Sequence, residues 1–210
     1  MAAVQVNGVW NKVLVPLVSS PIIGFTGAFV FMVVLYWIFR RAGPRLLNER
    51  FRRAQIVSAS YMAFSHGSND AQKTMGIMTL ALYSAGVIDT KTVPLPVILV
   101  AATAMSLGTA AGGWRIIKTM GQKVVKLDPI HGFAAETTAA TVILGASHFG
   151  APVSTTQVIA SAILGVGSAD RPKAVHWGVA GDIVIAWILT IPLSGFISGL
   201  TFLLLWRVFA

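Results

Sequence analysis

Long apolar stretches limit what this chain can fold into. Residues 13–39 contain no acidic or basic side chain, and residues 175–206 contain a single acid, Asp182. The hydrocarbon core of a bilayer is about 30 Å thick, so a helix of roughly 20 apolar residues crosses it. Both stretches exceed that length. We therefore expect an all-α integral membrane protein, built as a bundle of several spanning helices.

The composition agrees with a membrane protein and disfavours other classes. Hydrophobic residues make up 55% of the 210 residues, charged residues only 11%, and the mean hydropathy is +0.75. Soluble domains usually carry about 25% charged residues. The net charge of +9 comes from basic residues in short segments between apolar spans, where membrane topology explains them better than nucleic-acid binding does. The absence of cysteine excludes disulfides and thiolate metal sites.

Basic segments indicate the topology. Residues 40–53 hold six arginines and one glutamate, and residues 115–126 are basic without an acid. By the positive-inside rule, both segments are expected on the cytoplasmic side. Residues 54–86 and 94–114 are expected to form two further spans. Residues 129–168 are expected to form two more spans or a re-entrant hairpin. The order is thus an N-terminal tail (1–12), a leading transmembrane helix (13–39), a basic cytoplasmic loop (40–53) and the remaining segment (54–210).

The stretch "SHGSNDAQKTMG", which starts at Ser65, places strong polarity inside an apolar segment. Gly67 tolerates unusual backbone angles, and Ser68, Asn69 and Asp70 are residue types that cap helix N-termini. We predict that one helix breaks here and that another starts after Asp70. The alternative is an ordinary turn outside the membrane between two short helices.

A second helix break is predicted at "FGAPVSTTQ". Gly150 and Pro152 end one helix, and Ser154, Thr155 and Thr156 begin the next. Irregular backbone at membrane depth is tolerated where it lines a cavity, and transporters place such breaks around a binding site. A helix N-terminus with free amides and hydroxyls suits a phosphate or sulfate ion. The two breaks are therefore expected to face one anion.

Two acids within apolar sequence, Asp70 and Glu136, are candidate functional groups. An ionisable side chain inside a span costs roughly 2.5–3.5 kcal/mol on insertion scales and is a functional hypothesis by default. Carboxylates beside an anion site make sense if they bind a hard cation or a proton. Lys73, three positions after Asp70, either binds the anion or pairs with that acid. The histidines match no metal motif and are expected in packing or at interfaces: His66, His131, His148 and His176.

Four longer segments carry a resemblance to a known family. They read "FSHGSNDAQKTMGIMTLAL", "GGWRIIKTMG", "GFAAETTAATVILGASHFGAPVSTTQVIASAILGVG" and "WGVAGDIVIAWILTIP". In content and order they resemble the inorganic phosphate transporter family, which includes bacterial low-affinity phosphate permeases and eukaryotic sodium–phosphate symporters. The resemblance covers nearly the whole chain from about Lys12.

The resemblance implies a fold of two inverted repeats that form one phosphate site between them, each with an Asn-Asp and a "PVSTT" motif. Residues 54–210 would be the second repeat. It further implies a dimer in the lipid bilayer that couples inorganic phosphate to sodium or protons, with no other cofactor. The implied phosphate-binding residues are Gly67, Ser68, Asn69, Ser154, Thr155 and Thr156. The implied ligands of the coupling sodium or proton are Asn69, Asp70 and Glu136.

Three features depart from the family pattern. Gln157 stands where the family often has a histidine, and Gly181 with Asp182 stands where it often has an Arg-Asn pair. The chain holds one Asn-Asp motif and one "PVSTT" motif. It therefore resembles half of a site, and the first repeat is expected from a missing N-terminal part or a partner chain. A bacterial-type inner or plasma membrane is the expected location.

Two other functions remain open at this point. A sulfate permease of the same family would bind an anion of similar size, although sulfate lacks the protonatable oxygen of hydrogen phosphate. A membrane subunit that keeps the fold without transporting is the second alternative. An enzyme is not expected, because no nucleophile–base pair is evident around Ser154.

Overall fold

The chain is all-helical in a computed structural model that describes residues 8, 10–118, 121 and 124–209. No strand occurs among these residues, as the sequence predicted. A π-helical turn, Trp10–Leu14, leads into the first α-helix. The α-helices are α1 (Val15–Phe39), α2 (Pro44–Ser84), α3 (Leu95–Lys118), α4 (Pro129–His148), α5 (Thr155–Asp170) and α6 (Trp177–Phe209).

The chain divides into two compact units, Met1–Val175 and His176–Ala210. By length and composition, three helical segments of the described chain could cross a membrane: Val15–Phe39, Leu95–Trp114 and Trp177–Arg207. The second unit consists mainly of α6, which contains Pro192 and exposes large apolar side chains such as Phe196 and Leu203. Such a surface fits a lipid environment, and the chain is an integral membrane protein.

The predicted helix break at "HGSND" is wrong, because α2 continues without interruption for 41 residues. At 1.5 Å per residue this helix is about 60 Å long. Gly67 lies inside it, and its φ is not positive. The polar residues do not cap a helix start, because they lie inside the continuous helix α2, where Asn69 bonds Ser147 of α4 and Asp70 bonds Thr155 of α5. Their backbone amides therefore serve the helix and are not free for an anion.

The predicted loop at 40–53 is also mostly helical. Residues 40–43 link α1 to α2, and α2 begins at Pro44, directly after the extended residue Gly43. Proline suits this first helical position because the N–H that it lacks would have no intrahelical partner there. The arginine-rich segment thus forms the first turns of α2 and is not irregular backbone.

The predicted break at "FGAPVSTT" is confirmed. Helix α4 ends at His148, Gly150 adopts a φ of +64°, and α5 starts at Thr155. The amide of Gly150 bonds Ser147 O at 3.1 Å, and that of Ala151 bonds Ala146 O at 2.9 Å. These two bonds form a Schellman motif, which requires a left-handed residue and favours glycine.

Helices α4 and α5 form an antiparallel hairpin that packs against α1. A small-residue face of α1 is buried, and a Cβ on its Gly24 would lie 3.0 Å from the carbonyl oxygen of Val158 in α5. A Cβ on Gly165 of α5 would clash with the carbonyl oxygen of Phe25. Small residues permit this close approach of backbones, as in many membrane helix pairs.

A chain of hydrogen bonds ties the open end of this hairpin to α1. Tyr36 donates to Asp170 Oδ1 at 2.6 Å, and its hydroxyl oxygen lies 2.9 Å from His131 Nε2. The other ring nitrogen, Nδ1, accepts from the amide of Asp128 at 3.0 Å. The Nε2 atom must therefore carry the imidazole proton and donate it to Tyr36. This buried role for His131 matches the packing role expected from the sequence.

Candidate functional site

The two motifs singled out in the sequence meet in the first unit. The hydroxyl of Thr155, at the start of α5, donates to Asp70 Oδ2 at 3.1 Å. Lys73, one turn along α2 from Asp70, reaches back to Asp70 Oδ1 at 3.0 Å and across to the carbonyl oxygen of Val153 at 2.7 Å. The middle of α2 is thus fastened to the extended segment that precedes α5.

Asp70 has a set of donors that neutralises and orients its carboxylate. The Nε2 atom of His66 lies 3.3 Å from Oδ2, and Lys73 pairs with Oδ1. Residues three and four positions apart share one face of a helix, which is why both side chains reach the same acid. The Asp70 side chain is 25% exposed and that of Lys73 is 38% exposed. Both side chains of this pair are therefore partly exposed at the surface of the chain.

Asn69 serves a different contact from its neighbour Asp70. Its residue is 4% exposed, and its Nδ2 atom donates to Ser147 Oγ at 2.6 Å, near the end of α4. The Oδ1 atom of Asn69 is buried without a hydrogen-bond partner among the described residues. Asn69 therefore ties α2 to the last turn of α4 and keeps one free acceptor.

The three hydroxyls of the "STT" motif point to three environments. Ser154 caps α5, and its oxygen accepts from the amide of Gln157 at 3.4 Å. Thr155 is buried and bonds Asp70, whereas Thr156 is exposed. The first amides of a helix have no intrahelical acceptor, so the start of α5 also offers backbone donors. An anion at this end would meet these amides together with the ammonium of Lys73.

Glu136 does not lie with Asn69 and Asp70. Its carboxylate accepts from Ser58 at 2.5 Å and also hydrogen-bonds Gln55, both on α2. Ser58 lies more than three helical turns from Asp70, roughly 18 Å along α2. Within this chain Glu136 therefore lies apart from Asn69 and Asp70, and the assignment of the three residues to the coupling cation or proton stays a prediction. In addition, no group of three or more histidine or acidic side chains in the described residues is placed to hold a metal ion.

An open cavity lies beside Glu136 and His66. It has a volume of about 690 Å³ and is lined by residues of α2, α3, α4 and α5, among them His66, Gly67, Met105, Thr109 and Glu136. His66 thus touches the cavity on one side and Asp70 on the other. The space next to Gly67 is empty, because nothing lies within 4 Å of a Cβ built on this residue.

Sequence reasoning missed His66, Ser58 and Ser147 as partners of the candidate site. A continuous helix over the "HGSND" stretch would have shown His66 and Asp70 as neighbours at i and i+4. The pairing of Lys73 with Asp70 was one of two alternatives, and the ion pair is present. Ser58 and Ser147 carry no such signal, because their partners lie far away in the sequence.

The structure also describes two residues that depart from the expected pattern, Gln157 and Asp182. The Oε1 atom of Gln157 is buried without a hydrogen-bond partner among the described residues, in the first turn of α5. Asp182 lies in α6 and is exposed within the second unit. The positions of these residues do not explain why they replace the usual ones.

Comparisons with known proteins give a consistent result. The sequence profile of the phosphate transporter family matches residues 42–198. A "Probable low-affinity inorganic phosphate transporter" from Rhizobium meliloti is 46% identical over 187 residues, and one of the same name from Bacillus subtilis is 43% identical over 209 residues. A solved structure named "The sodium-dependent phosphate transporter" matches with a TM-score of 0.73 and 25% identity.

The chain is shorter than these relatives. The matches cover 89% and 99% of this chain but only 56% of the Rhizobium meliloti protein and 62% of the Bacillus subtilis protein. The structural match covers 90% of this chain and 66% of the solved one.

Proposed function

The chain belongs to the phosphate transporter family, and on this premise we propose that it is the C-terminal half of a transporter that carries inorganic phosphate across a membrane. The contact between Asp70 and Thr155 is the observation that carries the proposal. It brings the Asn-Asp motif of α2 to the N-terminus of α5, which carries the first backbone amides, the hydroxyls of Ser154 and Thr156, and the neighbouring ammonium of Lys73.

In the proposed site, phosphate binds at the start of α5. Ser154 and Thr156 lie beside the first amides of that helix, and Thr155 holds Asp70 against it. The positive end of the helix and the Lys73 ammonium attract the anion. Gly67 and Ser68 contribute through the surface of a continuous helix, since their amides are engaged within α2. The buried Asn69 contributes indirectly, by holding α2 against Ser147 of α4.

The rest of the site comes from elsewhere in the complete protein. Transporters of inverted-repeat design bind substrate between two repeats, and half-helix ends from both face the ligand. This chain supplies one such end, at α5. We propose that the first repeat lies in an N-terminal part or a partner chain, and that the complete transporter is a homodimer in a bacterial inner membrane. The chain matches only 56% and 62% of the length of two relatives, which supports the proposal that it is one half of the transporter.

Coupling to sodium or to protons completes the proposal. Glu136 and His66 line one cavity, and His66 contacts Asp70, so the two acids are separate ionisable positions at and beside this cavity. Glu136 acts as a gate, or as a cation or proton ligand, with Ser58 and Gln55 orienting its carboxylate. The phosphate transporter with the similar fold is named as sodium-dependent, which makes sodium the first ion to test.

Uptake of radiolabelled phosphate into proteoliposomes tests the proposal. Three proteins are compared: this chain alone, this chain joined to the part of the Bacillus subtilis relative that it does not match, and the complete relative. We expect uptake by the joined protein and the complete relative, driven by a sodium or pH gradient, and none by this chain alone. Uptake by this chain alone would contradict the proposal that it holds only half of the phosphate site. A joined protein that folds but stays inactive, beside an active relative, would contradict the transport function.

The same assay separates phosphate from sulfate. Excess unlabelled phosphate is expected to suppress uptake of the label, and excess sulfate is expected to leave it nearly unchanged. A protein that accepts hydrogen phosphate as a hydrogen-bond donor rejects sulfate strongly, because sulfate leaves a buried acceptor unpaired. Equal competition by the two anions would instead identify a sulfate permease.

A further inference from the structure

We propose that Lys73 is a built-in counter-cation, whose ammonium occupies the position beside Asp70 and Val153 O that a sodium ion would otherwise take. The inference rests on the proposed function and deepens it, because it removes the Asp70 position from the candidate sodium sites. Binding of phosphate at this half then requires no sodium at Asp70.

The geometry that supports this proposal is a pair of oxygen ligands around one positive charge. Asp70 Oδ1 lies 3.0 Å from Lys73 Nζ, and the carbonyl oxygen of Val153 lies 2.7 Å from the same atom. The Val153 carbonyl belongs to the extended segment between α4 and α5, outside any helix. Carboxylates and carbonyls of unwound backbone are the groups that coordinate sodium in transporters with broken helices.

The ammonium also supplies the charge that a sodium ion would supply. It neutralises Asp70 and stands next to the N-terminus of α5, where the anion is proposed to bind. A sodium ion entering the same ligand pair would meet a like charge at hydrogen-bond distance, so the two cations exclude each other. Unlike an ion, the ammonium is tethered to α2 and does not cross the membrane with the substrate.

Among the described residues, the remaining groups around Asp70 already occupy the other oxygen of this carboxylate. Its other oxygen, Oδ2, faces Thr155 on α5 and His66 on α2. Both are placed to donate to this oxygen, so the lone pairs of Oδ2 that a sodium ion would use are already engaged. A sodium ion that is transported must therefore bind elsewhere, at Glu136 or in the other half.

Substitutions of Lys73 test this proposal by thermal denaturation of the purified 210-residue chain in detergent. Melting temperatures are compared in sodium chloride and in choline chloride at equal concentration. We expect the wild type to show no sodium-specific shift that depends on Asp70, and the shifts of the variants are measured relative to the wild type. Lys73→Asn removes the charge, opens the position and adds a carbonyl oxygen. Sodium is expected to raise its melting temperature by about 2–4 °C once the ion exceeds its dissociation constant several-fold.

Two further variants make the result specific to this position. Lys73→Met removes the charge but fills the space with an apolar side chain, so it is expected to show no sodium shift. Lys73→Asn combined with Asp70→Asn lacks the carboxylate and is also expected to show none. If Lys73→Asn does not fold, Lys73→Ser opens the same space and takes its place.

Three results would overturn the proposal. These are a sodium-specific shift in the wild type that Asp70→Asn abolishes, the absence of an added shift in the folded opened variant, and an added shift that persists without the Asp70 carboxylate. Phosphate uptake is not part of this test. A failure of the proposed transport function in proteoliposomes is thus distinguishable from a failure of this inference.

Discussion

Thr155 donates a hydrogen bond to Asp70 Oδ2 at 3.1 Å, across 85 residues of sequence. Thr155 is 4% exposed and begins α5, whereas Asp70 lies in the middle of α2. The contact therefore fixes the distance between the Asn-Asp motif and the helix end that is proposed to bind phosphate. The contribution of this contact to stability and to transport is measurable.

Replacement of Thr155 by valine keeps the shape of the side chain and removes the donor. A hydrogen bond to a charged group contributes about 1.5–3 kcal/mol, so we expect the melting temperature in detergent to fall by about 3–10 °C. Thr141→Val is the matched control, because the exposed Thr141 hydroxyl bonds only its own helix, at Thr137 O. Equal melting temperatures for the two variants would contradict a stabilising contact to Asp70.

Gly67→Ala tests whether α2 is continuous. Inside a helix, alanine is more favourable than glycine by about 1 kcal/mol, and nothing lies within 4 Å of the added Cβ. We therefore expect the melting temperature to rise by about 2–4 °C. Gly150→Ala is the opposite case, because Gly150 has a φ of +64°, and this variant is expected to be less stable. Destabilisation by Gly67→Ala would instead support a helix break at this position.

The close approach of α1 to α5 predicts that Gly165→Ala is strongly destabilising. The added methyl group would meet the backbone carbonyl of Phe25, which cannot move aside without shifting α1. Overpacking of this kind costs about 1–3 kcal/mol. Gly145→Ala in α4 is the control, because a Cβ there meets nothing within 4 Å. Thermal denaturation should separate the two variants, and equal stability would mean that α1 does not pack here.

Tyr36→Phe tests the hydrogen bonds at the end of the hairpin. The change leaves Asp170 Oδ1 and His131 Nε2 each without a partner that the wild type provides. We expect a loss of about 1–3 kcal/mol, measured as a lower melting temperature. Tyr83→Phe serves as the comparison, since Tyr83 is 41% exposed. A Tyr36→Phe variant as stable as Tyr83→Phe would show that this cluster does not hold α1 to the hairpin.

The sequence predicted the helical class and the second helix break, but not the continuity of α2. Hydrophobic spans identify membrane helices by length alone, and the glycine that ends α4 has the residue type that a left-handed turn requires. Gly67, Ser68 and Asn69 have equally strong breaking preferences. Tertiary contacts outweigh them, since Asn69 bonds Ser147 and Asp70 bonds Thr155.

The candidate site was predictable in its residues but not in its grouping. Asp70 and Thr155 belong to motifs visible in the sequence, and the structure brings them together. Glu136 lies in an equally recognisable motif, yet it sits by Ser58, more than three turns of α2 away from Asp70. Which helix turn faces which is decided by packing between distant segments, and no local pattern encodes it.

The most direct test of the account is phosphate uptake by the joined transporter with Asp70→Asn. Glu49→Gln is the control, because Glu49 forms only an exposed pair with Arg53 in the first turns of α2. With equal amounts of folded protein in the liposomes, we expect Asp70→Asn to lower uptake by about tenfold or more, which corresponds to roughly 1.4 kcal/mol, and Glu49→Gln to leave it unchanged. Uptake by Asp70→Asn equal to that of the wild type and of Glu49→Gln would contradict a site built on Asp70.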